Sequence, residues 1–232
     1  VTVVNVPDYC GEEASPHAVS LLLASLRRLI VFDRSVKGGD WGWEAHTTVD
    51  PRTGETVGFL SFGQLAKATA EKLAGFDCRV VAADPYVEAE EMEQFGAEKV
   101  PFDDLLREAD HVSIHAPLTD ETAGMFDRAA FEQMSETAVL VNVGRGPIVE
   151  EEALLWALES DEIAAAGLDV LEEEPLTDSG LADRDDVILT PHTAFYSEES
   201  LTDLNEHIGD DILAVFDDET PDGYIDPEAD WL

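Results

Sequence analysis

Three side chains late in this 232-residue chain have types and surroundings suited to one kind of reaction. Arg145 lies in V-N-V-G-R-G, Glu174 in L-D-V-L-E-E-E-P and His192 in I-L-T-P-H-T-A. A guanidinium can hold a carboxylate through two parallel hydrogen bonds. An imidazole can pass a proton near neutral pH, and a neighbouring carboxylate steadies the ring and favours its charged form. Together Arg145, Glu174 and His192 are candidate catalytic residues for moving a hydride and a proton to or from a 2-hydroxy acid. From the residues alone each also has a plainer reading. Glu174 is then one more acid in an E-E-E run, His192 a hydrogen-bonded surface histidine, and Arg145 an exposed turn between glycines.

Such residues need a scaffold, and from Thr56 onward the chain alternates as one. Short, nearly continuous apolar runs at 56–60, 78–83, 111–115, 138–143, 164–170 and 187–190 predict strands covered on both faces. Amphipathic stretches at 64–73, 88–95, 102–108, 128–134 and 150–159 predict the helices between them. The fold class is α/β, a doubly wound parallel sheet with right-handed crossovers. A first helix is expected over 12–32 from the stripe Leu22, Leu26, Leu29 and Ile30. A last one starts after Ser197, an N-cap followed by Glu198 and Glu199. The 33–55 stretch reads as an excursion, with Trp41 and Trp43 as core anchors ahead of subunit contacts. The acidic tail after Phe216 reads as loosely held.

The first strand runs into Gly58-Phe-Leu-Ser61-Phe62-Gly63-Gln64-Leu65-Ala66. A dinucleotide-binding turn asks for G-x-G-x-x-G/A at that place, so that backbone can approach a pyrophosphate at a helix N-terminus. Here the pattern reads Ser61, Gly63, Ala66, with serine in place of the first glycine. Asp84 ends the next strand in V-V-A-A-D-P-Y. A carboxylate there accepts both ribose hydroxyls and repels a 2'-phosphate, which favours NAD over NADP. The plainer reading of Asp84 is a turn residue that caps a helix.

Composition limits the partners. Asp and Glu number 52 against 13 Lys and Arg, a net charge of -39, and the only lysines are Lys37, Lys67, Lys72 and Lys99. No basic stripe exists to neutralise phosphates, so nucleic acid is excluded as a partner. With 44% apolar residues the chain is no acidic tail, and most acidic runs read as solvated faces. A surface this negative suits molar salt. Cys10 and Cys78 form no C-x-x-C pair and read as buried thiols, with no metal site. The apolar run near Leu21 is too short to span a bilayer and no secretory signal opens the chain, so the cytoplasm is expected.

The sequence resembles the D-isomer-specific 2-hydroxyacid dehydrogenases over nearly its whole length. The likeness runs through N-V-P-D-Y-C-G-E-E, V-A-A-D-P-Y, S-I-H-A-P-L-T-D-E-T, L-V-N-V-G-R-G-P-I-V, A-G-L-D-V-L-E-E-E-P and I-L-T-P-H-T-A. H-T-A-F-Y-S-E-E-S, Asp8-Tyr9 and Asp84-Pro85-Tyr86 look closest to the branch of the C-terminal-binding-protein corepressors and phosphoglycerate dehydrogenase-like enzymes. The resemblance implies a Rossmann NAD-binding domain over 11–195, with 1–10 and 196–232 as remnants of a substrate domain. It implies that Arg145 binds the carboxylate and carbonyl of a 2-oxo acid, that His192 is the general acid/base and that Glu174 is its partner. Asp169 would meet the nicotinamide carboxamide, with Ala116, Pro117, Thr122 and Val143 beside the cofactor and Ser61, Gly63, Gln64, Leu65 and Asp84 on its phosphate and ribose side. A homodimer built on the first helix and the 33–55 excursion is also implied. The alternative carried by the same likeness is a non-catalytic, NAD(H)-responsive dimerising module of the corepressor type, and a decayed remnant is the third.

Two departures bear on function. Gln64 stands where the family usually has arginine, and together with Ser61 it predicts weak NAD(H) binding unless Lys67 points back at the turn. Family members also carry a long segment ahead of the counterpart of Val1, so the chain is expected to be a truncated or partnered piece with an open substrate site.

Overall fold

The computed structural model describes residues 2–6, 9–42, 54–177 and 179–226. Seven strands form one sheet: β1 (Thr56–Leu60), β2 (Arg79–Ala83), β3 (Ala97–Lys99), β4 (His111–Ile114), β5 (Val139–Asn142), β6 (Ala165–Leu168) and β7 (Val187–Leu189). Their order is β3-β2-β1-β4-β5-β6-β7, and every pairing is parallel. β1, β4, β5 and β6 are buried at every position. That is why their sequences are continuously apolar and not alternating. The three-residue edge strand β3 was not read from the sequence; A-E-K has neither length nor an apolar run to mark it.

Helices cover both faces. On one, α1 (Gly11–Leu26), α3 (Gln64–Leu73) and α4 (Ala89–Glu93) bury Leu21, Leu22, Ala66, Leu73 and Met92 against Phe59, Val141 and Ala165. On the other, α5 (Phe102–Glu108), α6 (Arg128–Phe131) and α7 (Glu151–Glu159) bury Leu105, Leu106, Phe131 and Leu154 against Ile114, Leu140 and Leu168. This two-sided wrapping is the doubly wound fold expected. Gly58 in β1 shows how close the layers come: a Cβ there would lie 2.8 Å from Ala109 Cβ and 3.1 Å from Leu105 Cγ.

Three expectations change. The first helix does not run unbroken over 12–32. It stops at Leu26, Arg28 takes a left-handed backbone with φ 50°, and α2 (Leu29–Lys37) leaves at 62° to α1. The apolar stripe that suggested one helix splits at this bend: Leu22 belongs to the core, whereas α2 has no buried residue and Leu29 is exposed. Trp41 is 88% exposed and anchors no core; Trp43 lies outside the described residues. The segment after α8 (Glu198–Phe216) is held at 221–225, where Tyr224 bridges Val4 antiparallel and Asn5 N donates to Gly223 O at 2.9 Å. Cys10 and Cys78 are free thiols, both half-buried. Among the described residues no single helix is long and apolar enough to cross a membrane.

Replacing Gly58 with alanine must push α5 off the sheet. We expect Gly58→Ala to cost about 1–3 kcal/mol in urea melts at fixed salt. Gly75→Ala is the control, because a Cβ there meets nothing within 4 Å.

Candidate active site

A doubly wound sheet opens a crevice at the carboxyl ends of its strands where the order reverses, here between β1 and β4. A cavity of about 590 Å³ lies there, and five of the expected cofactor residues, Ser61, Asp84, Ala116, Pro117 and Thr122, line it. The sequence reading missed its other walls, among them Tyr86, Lys99 and Met125. Tyr86 and Met125 belong to loops and Lys99 ends the edge strand β3, so their approach depends on strand order. Thr122 spends its hydroxyl on its own turn, accepting from Thr119 N at 2.8 Å and donating to Pro117 O at 2.7 Å.

Ser61 and Asp84 are bonded to each other. Ser61 takes φ 67°, the left-handed region where a glycine is at ease and a serine is strained. Its hydroxyl donates to Asp84 Oδ2 at 3.0 Å, and Phe62 N donates to the same oxygen at 2.8 Å. Asp84 Oδ1 accepts from Tyr86 N at 2.8 Å and Val87 N at 3.3 Å. The carboxylate therefore builds the turn between β1 and β2, and a ribose hydroxyl would compete with Ser61 for Oδ2. Gly63 caps α3, and a Cβ there would meet nothing within 4 Å, so the backbone before α3 is open to a ligand. Gln64 and Leu65 begin that helix. Lys67 does not compensate for Gln64. It is buried, and its Nζ pairs with Glu91 Oε1 at 2.5 Å and lies over the Phe95 ring.

The other candidates follow from three adjacent strands. Arg145 comes just after β5, Glu174 in the loop after β6, and His192 in the loop after β7. Glu174 and His192 meet: His192 Nδ1 is 2.9 Å from Glu174 Oε2, and Glu174 Oε1 accepts from Leu171 N at 3.0 Å. The carboxylate as acceptor places the proton on Nδ1 and leaves Nε2 free to exchange one with a ligand. Both side chains are partly exposed and line a second cavity of about 460 Å³, together with Asp169 and Leu176.

Arg145 bonds to neither Glu174 nor His192. Its Nη1 donates to Gly144 O at 2.7 Å, and its turn is tied by Asn142, whose side chain bonds Arg145 O and Gly144 N. Asn142 went unremarked in the sequence although it sits inside V-N-V-G-R-G. Gly146 seats this turn on the Glu174 loop, since a Cβ there would fall 1.7 Å from Leu171 O. Tyr9 links the two sides: its ring is 6.3 Å from Phe195, which is 6.5 Å from His192. Burial raises the pKa of Tyr9 and Cys10, while the positive charge of Arg145 pulls both down. Val143 is buried beside this turn, its N–H on Ile114 O. Another unpredicted feature is His115, at the end of β4. Burial depresses its pKa to about 3, so it is neutral, with Nε2 on Ser113 Oγ at 2.8 Å.

Asp169 is 2% exposed. Its Oδ1 accepts from Thr190 Oγ1 at 2.6 Å and Thr193 N at 2.9 Å, and Oδ2 accepts from Ala194 N at 2.9 Å. Its carboxylate thus holds the turn that carries His192, and one acceptor position on Oδ2 remains for any ligand.

Comparison with known proteins agrees with this fold. Residues 19–194 match the profile of the D-isomer specific 2-hydroxyacid dehydrogenase NAD-binding domain. The chain is 36% identical to the D-3-phosphoglycerate dehydrogenase of Archaeoglobus fulgidus over 214 residues, covering 92% of this chain and 40% of that one. It is 34% identical to the glyoxylate reductase of Korarchaeum cryptofilum, covering 99% of this chain and 70% of that one. Among solved structures it is similar to the NAD-complexed D-isomer specific 2-hydroxyacid dehydrogenase of Lactobacillus delbrueckii ssp. bulgaricus, at TM-score 0.85 and 31% identity, covering 97% of this chain and 72% of that one. The chain belongs to the D-isomer specific 2-hydroxyacid dehydrogenase family, and the cofactor its nucleotide-binding domain serves is NAD. It spans about two fifths of the Archaeoglobus relative's length. These matches are to dehydrogenases and do not favour the corepressor-type alternative.

Burial acts to raise the Asp169 pKa, but the nearby His17 and hydrogen bonds from Thr190 Oγ1, Thr193 N and Ala194 N outweigh it and hold the value at about 2, against 3.8 when unperturbed. Because the folded value is the lower, this contribution, about 2 kcal/mol, is fully present above pH 3.8 and is lost as pH falls through about 2. Asp169→Asn is expected to lower stability by about that much at neutral pH, and to flatten the acid limb of a pH series of urea melts.

Proposed function

We propose that this chain is the nucleotide-binding and proton-transfer part of an NAD-dependent oxidoreductase acting on a small D-2-hydroxy acid or its 2-oxo acid. The observation that carries the reading is the His192–Glu174 pair, 2.9 Å apart on the loops after β7 and β6, in a chain whose residues 19–194 match an NAD-binding domain. Nicotinamide, when bound, gives or takes the hydride. The chain's own part is to hold and aim. Glu174 fixes the tautomer and direction of His192, so that Nε2 delivers a proton to the carbonyl oxygen of a 2-oxo acid, or removes one from the hydroxyl in the other direction. Arg145, exposed on the neighbouring turn with most of its N–H donors unused, would grip the substrate carboxylate as a planar fork. The cavity by Ser61, Asp84 and Ala116 would take the adenosine half, with Gly63, Gln64 and Leu65 facing the pyrophosphate and Asp169 and Val143 near the nicotinamide.

The domain division proposed is 11–195 for the nucleotide domain, with 1–10 and 196–232 belonging to a substrate module. The family match at 19–194 and the pairing of residues 3–5 with 223–225 support it. A homodimer through the first helices and the 33–55 stretch is also proposed, supported by the exposed Leu29 and Val36 on α2, which buries nothing, and by the exposed Trp41 after it. The net charge of -39 supports work in concentrated salt, and a cytoplasmic location is proposed with it. Glyoxylate and 3-phosphohydroxypyruvate are the substrates to try first, by analogy with the relatives' names.

Two measurements test this. NADH oxidation in molar KCl with glyoxylate, hydroxypyruvate or 3-phosphohydroxypyruvate should show turnover that His192→Ala abolishes; NADH binding without any turnover would favour the non-catalytic module. Calorimetry should show weak NADH binding that tightens by about ten- to a hundredfold in the Ser61→Gly/Gln64→Arg double variant. The gain comes from a relaxed turn, a freed Asp84 oxygen and a cation at the pyrophosphate, and unchanged affinity would refute it.

A further inference from the structure

His17, on α1, lies apart from the stretches that carry the candidate catalytic residues, yet its Nε2 is 3.0 Å from Thr190 Oγ1 and 3.5 Å from Asp169 Oδ1. Counting hydrogens orients these bonds. The ionised Asp169 carboxylate only accepts. Thr190 has a single hydroxyl hydrogen, and at 2.6 Å it goes to Asp169 Oδ1. Thr190 Oγ1 is therefore the acceptor for His17, whose Nε2 carries the hydrogen. The chain of bonds continues from Asp169 into the N–H groups of Thr193 and Ala194, immediately after His192. His192 N itself donates to Asp169 O at 2.8 Å, and its backbone is left-handed at φ 50°. A non-glycine residue keeps that conformation only where its surroundings enforce it.

We propose that His17 is a positioning residue for His192. Its Nε2–H fastens the Thr190 hydroxyl to Asp169, which holds residues 190–194 in the shape that turns the imidazole toward Glu174. The mechanical logic is a rigid element steadying an exposed one. Ala14, Ala18 and Leu21 pin α1 in the core, so His17 reaches the loop from a helix that cannot drift. The His192 side chain, by contrast, is 45% exposed and has little packing of its own. Asp169 is the charged group recorded against His17, from the β6 side, and Thr190 the polar one, from the β7 side. The functional meaning rests on the reading of His192 as proton carrier; the mechanical claim does not.

Amide hydrogen exchange and imidazole nitrogen NMR on the full chain in molar KCl test it without any need for turnover. His17→Leu keeps the bulk and removes the donor, Thr190→Val removes the relay, and His17→Gln restores an N–H near the Nε2 position. We expect His17→Leu and Thr190→Val each to speed exchange at Thr193 and Ala194 by about tenfold or more, the loss of one net hydrogen bond, while amides of β4 and β5 keep their protection. The His192 Nδ1 resonance should move toward that of a free imidazole in both variants. His17→Gln should return both signals, and the His17→Leu/Thr190→Val double variant should do no more than either single one. Unchanged protection at Thr193 and Ala194 would overturn the proposal, as would an equal loss across all strands or a glutamine variant that behaves like leucine. Should His17→Leu not fold, Thr190→Val and His17→Gln decide the matter. Failure of these signals leaves the oxidoreductase reading to its own assay, and absence of turnover leaves these signals unaffected.

Discussion

A carboxylate that is 2% exposed survives in a protein interior only when donors replace the water it has lost. Asp169 is such a group, and the end of the molecule that carries His192 is arranged around meeting its needs. Thr190, the backbone N–H groups of Thr193 and Ala194, and His17 converge on it from the loop after β7 and from α1. In satisfying the charge they also fix the one stretch of chain that carries His192. The same bonds that make burial tolerable therefore give an exposed imidazole a defined direction. Glu174, anchored by Leu171 N, then needs only to reach across from the neighbouring loop.

A second buried carboxylate organises the nucleotide end by the same physics, with a different outcome. Asp84 is satisfied by Ser61, Phe62 N, Tyr86 N and Val87 N, so protein groups hold the turn before α3 in place. Ser61 gains a hydrogen bond there but bears a left-handed backbone, a trade a glycine would not face. With Gln64 uncharged and Lys67 paired to Glu91, that turn has no cation of its own in a chain of net charge -39. The two ends are therefore unequally held: the His192–Glu174 pair is tied in place, while the turn before α3 offers backbone and shape rather than charge.

Much of this was legible before any coordinates. Alternating apolar runs and amphipathic stretches identified six of the seven strands, because buried parallel strands have to be apolar on both faces. The N-cap Ser197 marked the start of α8, where it forms a capping box with Ser200. The local settings of Arg145, Glu174 and His192 marked the carboxyl-end loops. What was misjudged had weak local signals. The stripe from Leu22 to Ile30 fits a straight helix as well as a bent one, and nothing in R-R announces a left-handed Arg28. Trp41 is the kind of residue that cores collect, yet it is exposed.

The sequence by itself determined the architecture and singled out the candidate reactive groups, since periodicity and turn chemistry act over a few neighbouring residues. Only the tertiary structure decided which groups answer one another. His17 and Thr190 are 173 positions apart, Ser61 and Asp84 are 23 apart, and Lys67 could face either the turn or Glu91 until α4 was placed. Hydrogen-bond partners are selected by distances of about 3 Å, and such distances are set by how helices seat on the sheet, which no short stretch of sequence contains.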